Sequence, residues 1–250
     1  MSALLDVSDL SKNFGGLRAV GNVSFSLTQG EILGLIGPNG AGKSTVFNLI
    51  NGVFPPSEGK VVFDSQDITG LPPYDVVRRG ISRTHQIVKP LNDMTVRDNC
   101  TVGACFGREN LSLAKARKVA DEVIEFLGLS DRRDVLAAHL TIAGKKRLEV
   151  ARALCARPML LLLDEVLAGL NPSEVDQMIE VVRQIRGRGV SILIIEHLMQ
   201  AIMSLSDRIV VLNFGEKLAE GRPQEVANDP VVVEAYLGDP DMAKKLERER

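Results

Sequence analysis

Short runs of apolar residues alternate along the chain with stretches in which apolar positions recur every three or four residues. That alternation is the pattern of an α/β protein with a mostly parallel sheet. The first 35 residues read differently, as short strands with turns: Leu4–Val7 leads to a Phe14-Gly15-Gly16 turn, and Val23–Leu27 alternates as a half-buried strand does. Glu31–Ile36 is a buried strand running into a glycine-rich loop and a helix that begins near Lys43. A hairpin is expected around Val61–Phe63 and Asp67-Ile68. From about Leu91 to Leu140 the β-branched strand runs disappear, and helices are expected over Val96–Ala104 and Leu113–Phe126. Strand signals return at Met159–Leu163, Ser191–Ile195 and Arg208–Leu212, with helical patterns between them. The expected organisation is an α/β core with an N-terminal β subdomain over residues 1–90 and 157–230, and a helical insert over 91–156. A C-terminal extension over 231–250 ends in the charged stretch Asp239–Arg250, read as solvated or frayed.

Composition narrows the classes. At 250 residues the chain is one large domain or two small ones, and it can build a core without staples. Thirty Lys and Arg against 32 Asp and Glu leave a formal charge of −2, which gives no electrostatic drive toward nucleic acid or an anionic bilayer. Three scattered cysteines without CxxC spacing argue against a disulfide framework and a zinc site. The opening MSALLDVSDL lacks the marks of a signal peptide, and the longest apolar runs fall far short of the ~18–20 residues of a membrane helix. The expectation is a soluble chain of a reducing compartment.

Two segments carry chemistry. Gly37-Pro38-Asn39-Gly40-Ala41-Gly42-Lys43-Ser44-Thr45 matches GxxxxGK[ST]. Glycines let the backbone wrap phosphates with successive N–H groups inward, Lys43 offers a point charge to the β- and γ-phosphates, and the Ser44 hydroxyl can ligate Mg²⁺. The helix that follows presents its positive end to the same anion. A strand before the loop and a helix after it is the context the motif requires, so nucleoside triphosphate binding is expected. The second segment, Met159–Leu163, is a buried strand ending in Asp164 and Glu165. Ligands of parallel sheets collect at such strand ends. Asp164 fits a Mg²⁺ ligand, directly or through water, and Glu165 fits a general base for an attacking water.

Further elements fall into an order that resembles the ATP-binding-cassette (ABC) ATPases over essentially the whole chain. The resemblance implies a P-loop NTPase of the ABC ATPase type: a mixed, mainly parallel sheet core, an antiparallel β subdomain and a helical insert. Gln86, in Ser82-Arg83-Thr84-His85-Gln86, resembles the glutamine-loop residue that reaches Mg²⁺ and water and faces the membrane partner. Leu140-Thr141-Ile142-Ala143-Gly144 stands where the family has its Leu-Ser-Gly-Gly-Gln signature, followed by a helix over Lys145–Leu154. Ala168-Gly169-Leu170-Asn171 is placed like the dimer-contact loop, His197 like the switch histidine at the γ-phosphate, and Phe14 like the aromatic that stacks on adenine. Singly each is weak, since a lone glutamine is ordinarily a surface residue and a histidine after a strand ordinarily structural. His85, His139 and the cysteines stay in that structural class.

The signature departs from the pattern. Thr141 keeps the hydroxyl, but Ile142 and Ala143 replace two glycines and Gly144 replaces the glutamine. Thr141, Ala143 and Gly144 can still serve nucleotide on an opposite subunit if the backbone there has negative φ; otherwise strain follows.

Detail points to a subfamily. The run Lys12–Val20, Arg83–Gln86 before Met94-Thr95-Val96, Gly169–Glu174, and Asn228-Asp229-Pro230 with Glu234–Gly238 look like the branched-chain amino acid importer ATPases. That likeness implies ATP and Mg²⁺, a second cassette as hetero- or homodimer partner, two membrane permeases, and indirectly a periplasmic solute-binding protein. It also implies a peripheral place on the cytoplasmic face of the cell membrane, and no nucleic acid. Relatives that import urea, amides or other amino or aromatic acids stay open, as does a non-transport ABC module, favoured by a coiled-coil insertion or basic face that is not seen. A soluble P-loop kinase would need neither Gln86, Thr141 nor His197.

Overall fold

A computed structural model describes residues 3–237, so the expected extension's end, from Gly238 to Arg250, lies outside the described residues. Residues 3–71 contain β1 (Ala3–Phe14), β2 (Leu17–Thr28), β3 (Ile32–Ile36), α1 (Lys43–Ile50), β4 (Glu58–Phe63) and β5 (Gln66–Asp67). Residues 72–190 follow with α2 (Pro73–Arg79), β6 (Ile81–Arg83), α3 (Val96–Phe106), α4 (Leu113–Phe126), α5 (Ile142–Cys155), β7 (Leu160–Asp164) and α6 (Pro172–Gly187). The described chain closes with β8 (Ser191–Ile195), α7 (Met199–Leu205), β9 (Arg208–Asn213), β10 (Glu216–Gly221), α8 (Pro223–Ala227) and α9 (Pro230–Leu237). Two compact units result, one of residues 3–71 with 191–237 and one of 72–190.

In the first unit an antiparallel sheet runs β2-β1-β4-β5. β1 is far longer than the expected Leu4–Val7. Its register against β2 shifts between Val7 and Leu10, where Asp9 turns left-handed at φ 50°, and this irregularity carries the strand through a polar stretch that breaks the alternation. The β4–β5 turn places Asp64 and Ser65 both left-handed, the backbone a two-residue hairpin needs. Beside this, β3 is parallel to both β8 and β9, and β9 is antiparallel to β10. All five residues of β3 and of β8 are buried, as continuous apolar strands of a covered sheet must be.

In the second unit β6 and β7 pair in parallel, Ile81 with Leu160 through Arg83 with Leu162. β6 has three residues, too few for any periodicity to show in sequence. The helical insert is observed as α3, α4 and α5. α3 crosses α5 so closely that a Cβ on Gly103 would lie 2.3 Å from the Arg152 carbonyl oxygen. The antiparallel sheet, the mixed sheet strands and the helical insert are the expected architecture. Among the described residues no helix is long and apolar enough to cross a membrane.

Candidate functional site

The phosphate-loop residues sit in the first unit, between the end of β3 and the start of α1. Lys43 is buried and donates from Nζ to the Gly37 carbonyl at 2.6 Å and the Pro38 carbonyl at 3.0 Å, which holds its charge against the loop. Gly40 and Gly42 are left-handed at φ 81° and 97°. A Cβ on Gly37 would lie 2.2 Å from the Leu212 carbonyl oxygen, and one on Gly42 2.8 Å from that of Ala19. Around Gly40 space is open, so conformation alone requires that glycine. Gly42 caps α1 without a side chain, leaving first-turn N–H groups to an anion. Asn39 and Ser44 are exposed, Pro38 and Thr45 partly so, and Ala41 buried.

Two other expected site residues share this unit. Phe14 ends β1 and is 42 % exposed, its ring edge-on to that of Phe54 with centroids 5.4 Å apart. Lys12 Nζ lies 5.2 Å from the Phe14 centroid and donates to the Pro55 carbonyl at 2.7 Å, which braces the ring. His197 follows β8 by one residue and is half-buried.

The second unit brings together Gln86, Asp164 and Glu165. β7 extends one residue beyond the expected apolar run, so Asp164 is its buried last residue. Asp164 Oδ2 is held by Arg83 Nη2 at 2.7 Å, while Oδ1 is buried without a hydrogen-bond partner. The Asp164 N–H donates to Thr84 Oγ1 at 3.0 Å. Glu165 leaves the strand in a left-handed conformation, φ 50°, a strained geometry that directs its side chain out of the sheet's alternation. Its carboxylate accepts from Gln86 Nε2 at 2.8 Å.

Thr141 is the N-cap of α5, its Oγ1 accepting from the Gly144 N–H at 3.1 Å. Ile142 and Ala143 lie in the helix's first turn, and neither has positive φ. Loss of the two glycines therefore brings no backbone strain. A Cβ on Gly144 would stand 3.3 Å from Leu140 Cβ, so this glycine accommodates a tight first turn.

The ABC transporter family profile matches residues 20–168. The chain belongs to the ABC transporters. A second profile, for the branched-chain amino acid ATP-binding cassette transporter, matches residues 216–241. The chain is 40 % identical to the high-affinity branched-chain amino acid transport ATP-binding protein LivG of Salmonella typhimurium, over 94 % of this chain and 98 % of LivG. It is 37 % identical to the correspondingly named BraF of Pseudomonas aeruginosa, over the same shares. Among solved structures, the ADP conformation of an ATP-binding cassette of an ABC transporter superposes with a TM-score of 0.86 at 33 % identity, covering 96 % of this chain and 100 % of that one. This ABC protein is an ATP-hydrolysing subunit.

Sequence reading of the cassette passed over several supporting residues. In the sequence Arg83 stands out only as part of the Ser82–Gln86 run, yet it is the counter-ion of Asp164. An arginine closing a short buried strand is the available signal, since a buried guanidinium needs a partner. His85, read as structural, gives its backbone N–H to Glu149 Oε1 at 3.2 Å, and its Nδ1 stands 3.2 Å from the same oxygen. Lys146 in α5 reaches both Gln86 and Glu165, and nothing in a helical periodicity announces it.

Proposed function

We propose that this chain powers a branched-chain amino acid importer. The observation that supports the reading is its 40 % identity to LivG over nearly the full length of both chains. The match of residues 216–241 to the branched-chain profile points the same way. In this reading residues 37–45 wrap the phosphates of ATP, Lys43 bears on the β- and γ-phosphates, and Phe14 stacks on adenine. Glu165 takes a proton from water as its oxygen attacks the γ-phosphorus and ADP leaves; His197 stabilises charge on the transferred group. Preplaced electrostatics carries such a reaction.

The residues present fit Mg²⁺. Asp164 Oδ1 is a buried oxygen without a partner, as a cation ligand would be, and the family likeness adds Ser44 and Gln86 as the other residues that would hold the ion. Bound there, Mg²⁺ would neutralise phosphate charge.

Thr141, Ala143 and Gly144 then serve the nucleotide of a second cassette, identical or not, when the pair closes. Two permeases carry the solute, handed over by a periplasmic binding protein, and the cassette docks on the cytoplasmic face. Domain assignments of 91–156 as the signature-bearing insert and 1–90 with 157–230 as the nucleotide core belong to this reading.

The test is reconstitution. The chain, co-expressed with permeases of a branched-chain amino acid importer, is placed in vesicles with their binding protein, and ATP-driven uptake of labelled leucine, isoleucine and valine is compared with that of urea, amides and aromatic acids. Uptake of the branched-chain acids is expected. Uptake confined to another solute overturns the substrate assignment.

A further inference from the structure

Lys146 lies in α5, five residues past the signature threonine, and has no role in the motifs above. It is only 5 % exposed. A lysine has three donors and one charge, and burying it is unfavourable unless those donors are met. Here Nζ donates to two main-chain carbonyls, that of Glu165 at 2.7 Å and that of Gln86 at 3.2 Å. The side chains of those two residues meet each other at 2.8 Å. One ammonium therefore holds the backbone on both sides of the Gln86–Glu165 pair.

Two further observations give this bridge a purpose. Glu165 sits at φ 50°, a conformation that persists in a non-glycine residue only where the surroundings fix it. Its carbonyl accepts from Lys146 and, at 3.3 Å, from the Ala168 N–H, so the lysine is a principal restraint on that turn. One helical turn further along, Glu149 accepts from the His85 N–H at 3.2 Å and pairs with Arg152 at 3.6 Å. α5 thus grips the segment around Gln86 at two successive points, and the first of them also reaches Glu165.

We propose that Lys146 is a positioning residue for ATP hydrolysis: by fixing the main chain at Glu165 and Gln86, it sets where the carboxylate of the base stands. The inference rests on Glu165 acting as that base. Misplacing a catalytic group by about 1 Å can lower a rate about 100-fold without touching the reactants.

The test uses the purified full chain, with steady-state ATP hydrolysis and the affinity for a fluorescent ATP analogue measured on K146M, K146R and E165Q. K146M is expected to lower kcat about 10–100-fold, with KM and analogue affinity changed no more than about twofold, as for loss of a transition-state interaction. K146R keeps the cation and its donors and is expected to recover most of the rate. If K146M does not fold, K146Q, which retains one donor and loses the charge, is read in its place. Wild-type kcat in K146M beside an inactive E165Q overturns the role of Lys146 and leaves that of Glu165 standing. A wild-type rate in E165Q overturns the base assignment itself. Equal loss in K146M and K146R, or loss of analogue binding together with kcat, reduces Lys146 to a fold-holding residue and also overturns the proposal.

Discussion

Gln86 Nε2 donates to Glu165 Oε2 at 2.8 Å, so the two side chains assigned to the attacking water already touch within one compact unit. The amide orients a carboxylate whose own backbone is strained. On the proposed role of Glu165 as base, replacing it by Gln preserves size but removes the proton acceptor, so kcat is expected to fall about 10²–10⁴-fold while ATP still binds. Q86A removes one hydrogen bond to a charged group, worth about 1.5–3 kcal/mol, and a loss of about 10–100-fold is expected. Steady-state hydrolysis with parallel nucleotide-binding measurements checks both; a Q86A loss as deep as that of E165Q would count against simple orientation.

Thr141 has two separable tasks. As N-cap of α5 it meets the Gly144 N–H, and its loss in T141A should lower unfolding free energy by about 0.5–2 kcal/mol in denaturant titrations. T141S keeps the cap and should behave as wild type. In the proposed dimer T141R puts a bulky side chain where the signature would meet the partner's nucleotide, and it is expected to abolish ATP-driven uptake while nucleotide affinity of the isolated chain holds. Unchanged uptake in T141R would remove the signature from the mechanism.

The phosphate loop and the acidic strand end were legible because each joins an apolar strand to an unmistakable run of chemistry. β3 and β7 are buried along their whole length, and residues 37–45 and 164–165 lie where those runs stop. The helical insert was legible from the loss of β-branched runs after Leu91. What stayed hidden depends on contacts distant in sequence. Arg83 finds Asp164 across 81 positions and Lys146 finds Gln86 across 60, separations that no local period encodes. The length of β1 was hidden for a local reason: an irregularity at Asp9 interrupts the alternation without ending the strand. The fate of the altered signature turned on backbone angles, which helix α5 sets.

Gly37 and Gly40 should respond differently to alanine. At Gly37 the added methyl meets the Leu212 backbone, which cannot move aside cheaply, and G37A is expected to lose ATP binding and stability together. At Gly40 the methyl enters open space, and only the left-handed backbone opposes it, at about 1–2 kcal/mol. Thermal unfolding with and without ATP separates the two; equal damage at both positions would contradict the steric account.

The cysteines should differ in reactivity although none is paired. Cys100 and Cys155 are buried, and the Cys155 thiol is held far above the ordinary range by its hydrogen bond with Cys100 and by burial. Thiolate is the reactive form, so Cys155 should be silent toward a thiol reagent at neutral pH, and burial shields Cys100 from the reagent. Cys105 is partly exposed. A titration with an aromatic disulfide reagent should count one thiol in the native chain and three in denaturant; rapid reaction of all three without denaturant would refute the packing role.

Arg83 and Asp164 form a pair with less than a tenth of either side chain exposed, 2.7 Å apart. Such pairs add little net stability compared with apolar residues, but breaking one strands a charge, typically at about 3–5 kcal/mol. R83M should therefore unfold at markedly lower denaturant concentration. The stranded charge is that of Asp164, whose Oδ1 is already without a partner, so a divalent cation with ATP should restore more stability to R83M than to the wild type. The double variant R83M/D164N removes both charges and should recover stability without recovering hydrolysis, because the carboxylate assigned to the cation is gone. Stability and activity recovering together in that double variant would mean that Asp164 serves the fold alone.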